Sequence, residues 1–185
     1  MKTKYFFMGY DFFSKLHDGH IKRKEYEDAI KRAMDKQNRA KDQNYKFIQK
    51  KLTYLDKLEE KPIFKEVMSI IGECDTAILD LTSRVSIYEY NLNVIFELGA
   101  ALFGHLSKKG VPRYVAYFYH NQTNNKNSDE VAEHIAKDIS DLSLVSTSKK
   151  FPIKCAGFLY VYKNYDELTE RLAEVLIQKG MKEGD

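Results

Sequence analysis

One carboxylate stands inside an otherwise apolar run. Residues 91–104 read NLNVIFELGAALFG, and Glu97 is their single charge. An ionised carboxylate is costly to bury without partners. Glu97 is therefore either a group on the shoulder of a helix or one with a chemical task. Stepping about 100° per residue from Val94 gathers Ile95, Leu98, Ala101 and Leu102 on one face, the side expected to pack on a sheet. Leu92, Phe96, Gly99 and Phe103 gather on the far side. Glu97 falls between the two faces, beside Asn93, Ala100 and Gly104, which are all small or polar. Small neighbours leave room next to the carboxylate. The spacing also puts Glu97 in the first turn of a helix starting near Asn93. There the helix dipole stabilises negative charge, and Asn91 or Asn93 can act as the cap. Geometry alone leaves both readings open, a glutamate serving only the dipole or a functional one. Leu92, Phe96 and Phe103 should not all face water on one helix, so another helix or a second copy of the chain is expected to cover them.

The elements that must position this group alternate along the chain. Tyr5 to Met8 read as a first strand stopped by Gly9, and HDGH (17–20) as a turn. A charged helix is expected from about residue 21 to 42, with Ile21, Ala29, Ile30 and Ala33 at helical spacing and the rest solvated. Residues 43–60 fit either a helix or short strands, and the alternation of the whole chain favours a strand. Pro62 suits a helix N-terminus, followed by Ile63, Val67, Ile70 and Ile71 on one face. DTAILDLT (75–82) is the clearest strand. The helix that carries Glu97 follows, to about Ser107. RYVAYFYH (113–120) is a further strand, EVAEHIAKDI (130–139) a short helix, AGFLYVYK (156–163) a final strand and residues 165–180 a periodic final helix. Such alternation predicts a single α/β domain over 1–185, flavodoxin-like, with a mostly parallel sheet of about five strands between two helical layers. In open parallel sheets, ligands sit at the carboxyl ends of the strands. That rule selects Gly9–Asp11, Asp80–Ser83 and His120–Asn121, with His120 a candidate for binding a base or donating a proton.

Composition narrows the function classes. Lys and Arg total 30 against 27 Asp and Glu, and the charges are interspersed. There is no basic stripe of the kind nucleic acid demands, so no nucleic-acid role is expected. Cys74 and Cys155 lie far apart and fit neither a zinc spacing nor a disulfide framework. They read as reduced core thiols. His17 and His20 lack further ligands nearby, so no metal site is expected. The N-terminal run is broken by Gly9 and Asp11 and does not read as a signal peptide. No segment approaches the roughly 18 apolar residues of a membrane span. The expected location is the cytoplasm. No Gly-rich phosphate loop and no Ser/His/Asp constellation is present.

The stretch CDTAILDLTSRVSIYEYNLNVIFELGAAL resembles the strand–loop–helix signature of the TIR-like and nucleoside 2-deoxyribosyltransferase-like superfamily. Asp75, Ile78, Asp80, Leu81 and Thr82 match its strand half. Asn91, Asn93, Val94, Glu97, Leu98, Gly99 and Ala101 match its helix half. Phe96 stands where Tyr is common, Leu92 where Pro is common, and the loop between the halves is longer than in many relatives. The resemblance covers about thirty residues well and the rest by order of elements.

It implies that Glu97 is a catalytic carboxylate at a ribosyl anomeric carbon, attacking C1′ or stabilising the oxocarbenium-like centre as the base leaves. It further implies that Asp80 holds ribose hydroxyls or assists Glu97, that Asn93 orients Glu97 or touches the sugar, and that Gly9 lets backbone approach the ligand. Tyr10 or Phe12 would stack on a base. The expected site is thus Glu97 and Asp80 as catalytic residues, with Gly9, Tyr10, Asp11, Phe12, Thr82, Asn91, Asn93 and His120 as substrate contacts. No cofactor is implied. NAD or another nucleotide would be the substrate, cleaved to nicotinamide and linear or cyclised ADP-ribose, in bacterial relatives often for antiphage defence. The alternatives are a nucleoside 2-deoxyribosyltransferase or nucleoside N-glycosidase, and a non-catalytic nucleotide-sensing or self-assembling module. A homodimer or larger assembly through Leu92, Phe96 and Phe103 is the expected partner state.

Overall fold

The aromatic and β-branched runs form strands, and together they make one parallel sheet. In the computed structural model these are β1 (Lys2–Gly9), β2 (Tyr45–Lys50), β3 (Thr76–Asp80), β4 (Tyr114–His120) and β5 (Leu159–Tyr162). The helices are α1 (Gly19–Asn38), α2 (Ile63–Ile71), α3 (Leu92–Leu106) and α4 (Tyr165–Gly180). The structure describes residues 2–10, 19–40, 45–51, 63–82, 90, 92–106, 112, 114–121, 130, 134–135, 137 and 159–180. Of the helix expected over 130–139, Glu130, His134, Ile135 and Lys137 are described and are helical.

The strand order is β2-β1-β3-β4-β5, every pair parallel. This is the doubly wound, flavodoxin-like order. The chain leaves β1 for β2 on one side and returns to β3 on the other. The carboxyl ends of β1 and β3 therefore flank the switch point, the edge where ligands sit in open sheets of this order.

Period-two alternation splits the sheet's side chains between two cores. Phe7, Ala77, Leu79, Val115 and Tyr117 pack under α2 and α3, against Val67, Ile71, Val94, Leu98 and Ala101. Phe6, Met8, Ile78, Ala116 and Phe118 pack under α1 and α4, against Tyr26, Ala29, Ile30, Leu168 and Leu172. The central strand β3 is buried along its whole length, as a strand covered on both faces must be.

Two expectations change. The α1 helix ends at Asn38 rather than 42, and it is not merely solvated: Tyr26, Ala29, Ile30, Ala33 and Gln37 form a fully buried inner stripe. The stripe is narrow and built largely of small or polar residues, Ala29, Ala33 and Gln37, so it stands out little against the many charges of the helix. The ambiguous 43–60 stretch yields the strand β2 at 45–50, while 52–60 lie outside the described residues. Edge strand β2 is tied to α1 by Asn38, whose side-chain amide donates to the Phe47 carbonyl at 3.2 Å and accepts the Phe47 N–H at 2.9 Å. A side chain thus stands in for a neighbouring strand and blunts the edge.

The helix α4 starts on Asn164, whose Oδ1 accepts the N–H groups of Asp166 and Glu167 at 3.1 and 2.9 Å. That is an N-cap. Among the described residues no helix is long and apolar enough to cross a membrane.

Candidate functional site at the carboxyl edge

The helical-wheel reading of α3 holds in three dimensions. Val94, Leu98, Ala101 and Leu102 are buried against the sheet, and Ile95 is partly buried. On the far face Phe96 and Phe103 are 51% and 71% exposed. Ala100, expected on the shoulder, is drawn into the core.

Glu97 does not lie in the first turn. The helix starts at Leu92, so Glu97 is its sixth residue, and the first turn carries no acid. The dipole effect fades within one turn, so it no longer accounts for a glutamate here. Asn93, the second residue of the helix, is exposed and lies inside the helix rather than capping it.

What holds the Glu97 carboxylate is the end of β1. Gly9 is the last residue of that strand, paired with Leu79 of β3. A Cβ on Gly9 would lie 1.9 Å from Glu97 Oε2, 3.1 Å from its Cδ and 3.0 Å from Leu79 Cδ2. The carboxylate therefore occupies the space that any other side chain at position 9 would fill. The glycine expected to admit a ligand admits the glutamate itself. Oε2 is sealed from solvent and has no hydrogen-bond partner among the described residues. Burial pushes the Glu97 carboxyl from its ordinary 4.5 up to about 7. The cause is desolvation of the charged form.

Asp80 has the opposite surroundings. It lies two residues beyond Ile78 and shares its face, so the sheet separates it from Glu97. Its Oδ2 accepts the hydroxyls of Tyr26 and Tyr162 at 2.7 and 2.6 Å. Its Oδ1 accepts the Thr82 N–H at 3.1 Å and the Thr82 hydroxyl. Burial first, then the Asp80 charge, pushes both tyrosine hydroxyls well above their ordinary value of 10, so both remain donors.

Other predicted residues cluster on that second face. Tyr10 stacks on Tyr26, ring centroids 4.5 Å apart, and its hydroxyl donates to Glu27 at 3.3 Å. His120 stacks on Tyr162 at 4.9 Å, and its Nε2–H donates to the Lys163 carbonyl at 3.0 Å. The His120 N–H donates to Thr82 Oγ1 at 2.8 Å. Asp11, Phe12 and Asn91 lie outside the described residues.

The structure thus brings Gly9 and Glu97 together on the α2/α3 side. It gathers Tyr10, Asp80 and His120 on the α1/α4 side, with Thr82 bonded between Asp80 and His120 at the carboxyl edge. Sequence reasoning missed Tyr26 and Tyr162. The signal for Tyr26 was present, since it falls at helical spacing from Ala29, Ile30 and Ala33, but the surrounding charges masked it. Cys74 is buried, and burial pushes its thiol up to about 12, which leaves it inert as a nucleophile. Among the described residues no group of three or more His, Cys, Asp or Glu could hold a metal ion.

No protein-family model and no curated protein matches the chain. Among solved structures, the chain is similar to a 2-deoxyribosyltransferase from Leishmania mexicana, with 15% identity and a TM-score of 0.38, covering 70% of this chain and 71% of that one. It is also similar to an NAD(P)H:quinone oxidoreductase from Methanothermobacter marburgensis, with 10% identity and a TM-score of 0.42, covering 95% and 98%.

Proposed function

We propose that the chain is an enzyme that breaks an N-glycosidic bond of a nucleotide, with Glu97 as the catalytic carboxylate and NAD as the substrate. One observation carries this reading: a desolvated carboxylate, one oxygen of which has no partner among the described residues, set over Gly9 at the switch point of a doubly wound sheet. Burying such a group without a donor lowers stability, and strain of this kind is typical of sites that act on a developing charge. The sequence pattern running from Asp75 through Thr82 to Glu97 and Ala101 supports the choice of a ribosyl carbon.

In the reaction the C1′–N bond breaks and its electron pair leaves with the base. The ionised Glu97 either bonds to C1′ or holds the positive centre until water or a substrate hydroxyl attacks. Nicotinamide departs as a neutral molecule from its cationic form, so this leaving group needs no proton from the enzyme. A neutral nucleobase would need one, and that is the chemical divide between NAD and a deoxynucleoside as substrate.

The test is incubation of purified protein with NAD and, separately, with a deoxynucleoside plus a free base, wild type beside Glu97→Gln. Wild type is expected to release nicotinamide, and the amide variant to be slower by at least about 100-fold. Base exchange without nicotinamide release would move the assignment to a deoxyribosyltransferase. Retained nucleotide binding in both proteins with turnover in neither would make the chain a sensing module.

The reading also expects copies of the chain to meet through the outer face of α3, at Leu92, Phe96 and Phe103. Phe96→Glu with Phe103→Glu is expected to leave the chain folded by circular dichroism, because both side chains are exposed in the single chain. It should also move a dimer to the monomer position on sizing chromatography. An unchanged elution volume would discard this face as the interface.

A further inference from the structure

The Asp80 network reaches Glu97 by a route other than direct contact. Asp80 Oδ1 holds both the N–H and the hydroxyl of Thr82. The Thr82 hydroxyl oxygen in turn accepts the N–H of His120, at the end of β4. Thr82 also pairs with Tyr90 in an isolated antiparallel bridge. Tyr90 stands two residues before α3 begins, and its ring packs against the α2/α3-side core. Three things are thereby tied at one point: the end of β3, the end of β4 and the residue leading into α3.

A helix moves as a rigid rod over a few turns, so fixing its start fixes a side chain about one and a half turns further on. Glu97 is that side chain. Its fit over Gly9 is close enough for a single added carbon to overlap it. A small change in where α3 starts would therefore lift the carboxylate out of its seat.

We propose that Asp80 and Thr82 are positioning residues for Glu97: the Asp80–Thr82–Tyr90 linkage sets the start of α3 and so seats the Glu97 carboxylate against Gly9. Asp80 serves the site across the sheet, with both of its oxygens committed to Tyr26, Tyr162 and Thr82. The inference rests on the reading of Glu97 as the carboxylate of the site, and not on which substrate it meets. Thr82→Val separates this role from bulk stability. It deletes the hydroxyl that donates to Asp80 and accepts the His120 N–H, so that Thr82 is held by Asp80 through its backbone N–H alone, and it nearly keeps the side-chain volume. Thr82→Ser restores the hydroxyl.

The experiment is a carbon-detected NMR titration of the glutamate carboxyls between about pH 4 and 9, with Glu97 identified by its loss in Glu97→Gln. Wild type and Thr82→Ser are expected to titrate near the same midpoint. Thr82→Val and Asp80→Asn are expected to titrate lower by about one pH unit or more, as the carboxylate regains water. Circular dichroism reports whether each variant is folded. Should Asp80→Asn not fold, Thr82→Val decides alone.

An unmoved Glu97 midpoint in folded Thr82→Val overturns the proposal, even if the melting temperature falls. So does a wild-type midpoint at the ordinary carboxylate value, because no seated carboxylate then exists. Turnover is measured separately. A chain without turnover whose Glu97 midpoint shifts in Thr82→Val keeps the positioning role and loses the glycosidic one.

Discussion

Glu97→Gln is expected to be more stable than wild type at pH 8, by up to about 3 kcal/mol. The sign follows from the direction of the shift. The carboxyl titrates at about 7 in the folded chain against 4.5 ordinarily. A group whose folded pKa is raised contributes stability that is fully present below its unfolded value. That contribution is lost as pH rises through the folded one. Wild type should therefore lose stability between about pH 4.5 and 7 and level off above. The amide has no charge to desolvate, so its stability should not show this fall. The two proteins should melt together near pH 4 and diverge by roughly 5–10 °C at pH 8. Thermal melts followed by circular dichroism across this range make the comparison. Equal melting at every pH would mean that the carboxylate is solvated and that the seat over Gly9 does not hold it. The same titration should shape activity: the ionised form reacts, so kcat/KM should rise about tenfold per pH unit below 7 and flatten above.

The second large effect is expected at Gly9. Gly9→Ala puts a Cβ 1.9 Å from Glu97 Oε2 and 3.0 Å from Leu79 Cδ2. The backbone at this position is not in the left-handed region, so the clash alone opposes a side chain. Leu79 is fully buried in the core and can yield little. Glu97 must therefore rotate out. A carboxylate displaced by about 1 Å or more should cost roughly 100-fold in turnover. Overpacking should cost about 1–3 kcal/mol in stability. A double-mutant cycle isolates the contact, because in a Glu97→Ala background the same Gly9→Ala should cost far less. The coupling is expected at about 1–3 kcal/mol, measured by urea denaturation. Additive effects would mean that the strand end and the glutamate do not meet.

The second face has a different physical character. Among the described residues the donors to buried Asp80 are all neutral: two tyrosine hydroxyls, one threonine hydroxyl and one backbone N–H. Four donors into two oxygens leave it little capacity to engage a sugar. Glu97 holds one oxygen uncommitted. Two carboxylates near one sheet edge are thus set apart by their surroundings: Asp80 is saturated with donors, and Glu97 is desolvated with an oxygen that no described residue engages.

Much of this was legible in the residues themselves. Alternation of strand and helix patterns fixed the layered α/β class, because a sheet with helical crossovers must be parallel and covered on both faces. The helical period of 92–106 separated the buried stripe of Val94, Leu98, Ala101 and Leu102 from exposed Phe96 and Phe103, since those positions depend on local geometry alone. The glutamate stood out because its apolar context made its charge anomalous. Tertiary structure decided the rest. Strand order put the ends of β1 and β3 at the switch point, and nothing in local spacing encodes which strands become neighbours. Sequence spacing could not show that Gly9 and Glu97, 88 positions apart (97 − 9), share one small volume, nor that Asp80 turns to the other face. Tyr26 and Tyr162 emerged as partners of Asp80 only when α1 and β5 converged on the end of β3. Residue types determined which groups could act. Pairing across the sheet decided that the Glu97 carboxylate, over Gly9, is desolvated by packing and has an oxygen without a partner among the described residues.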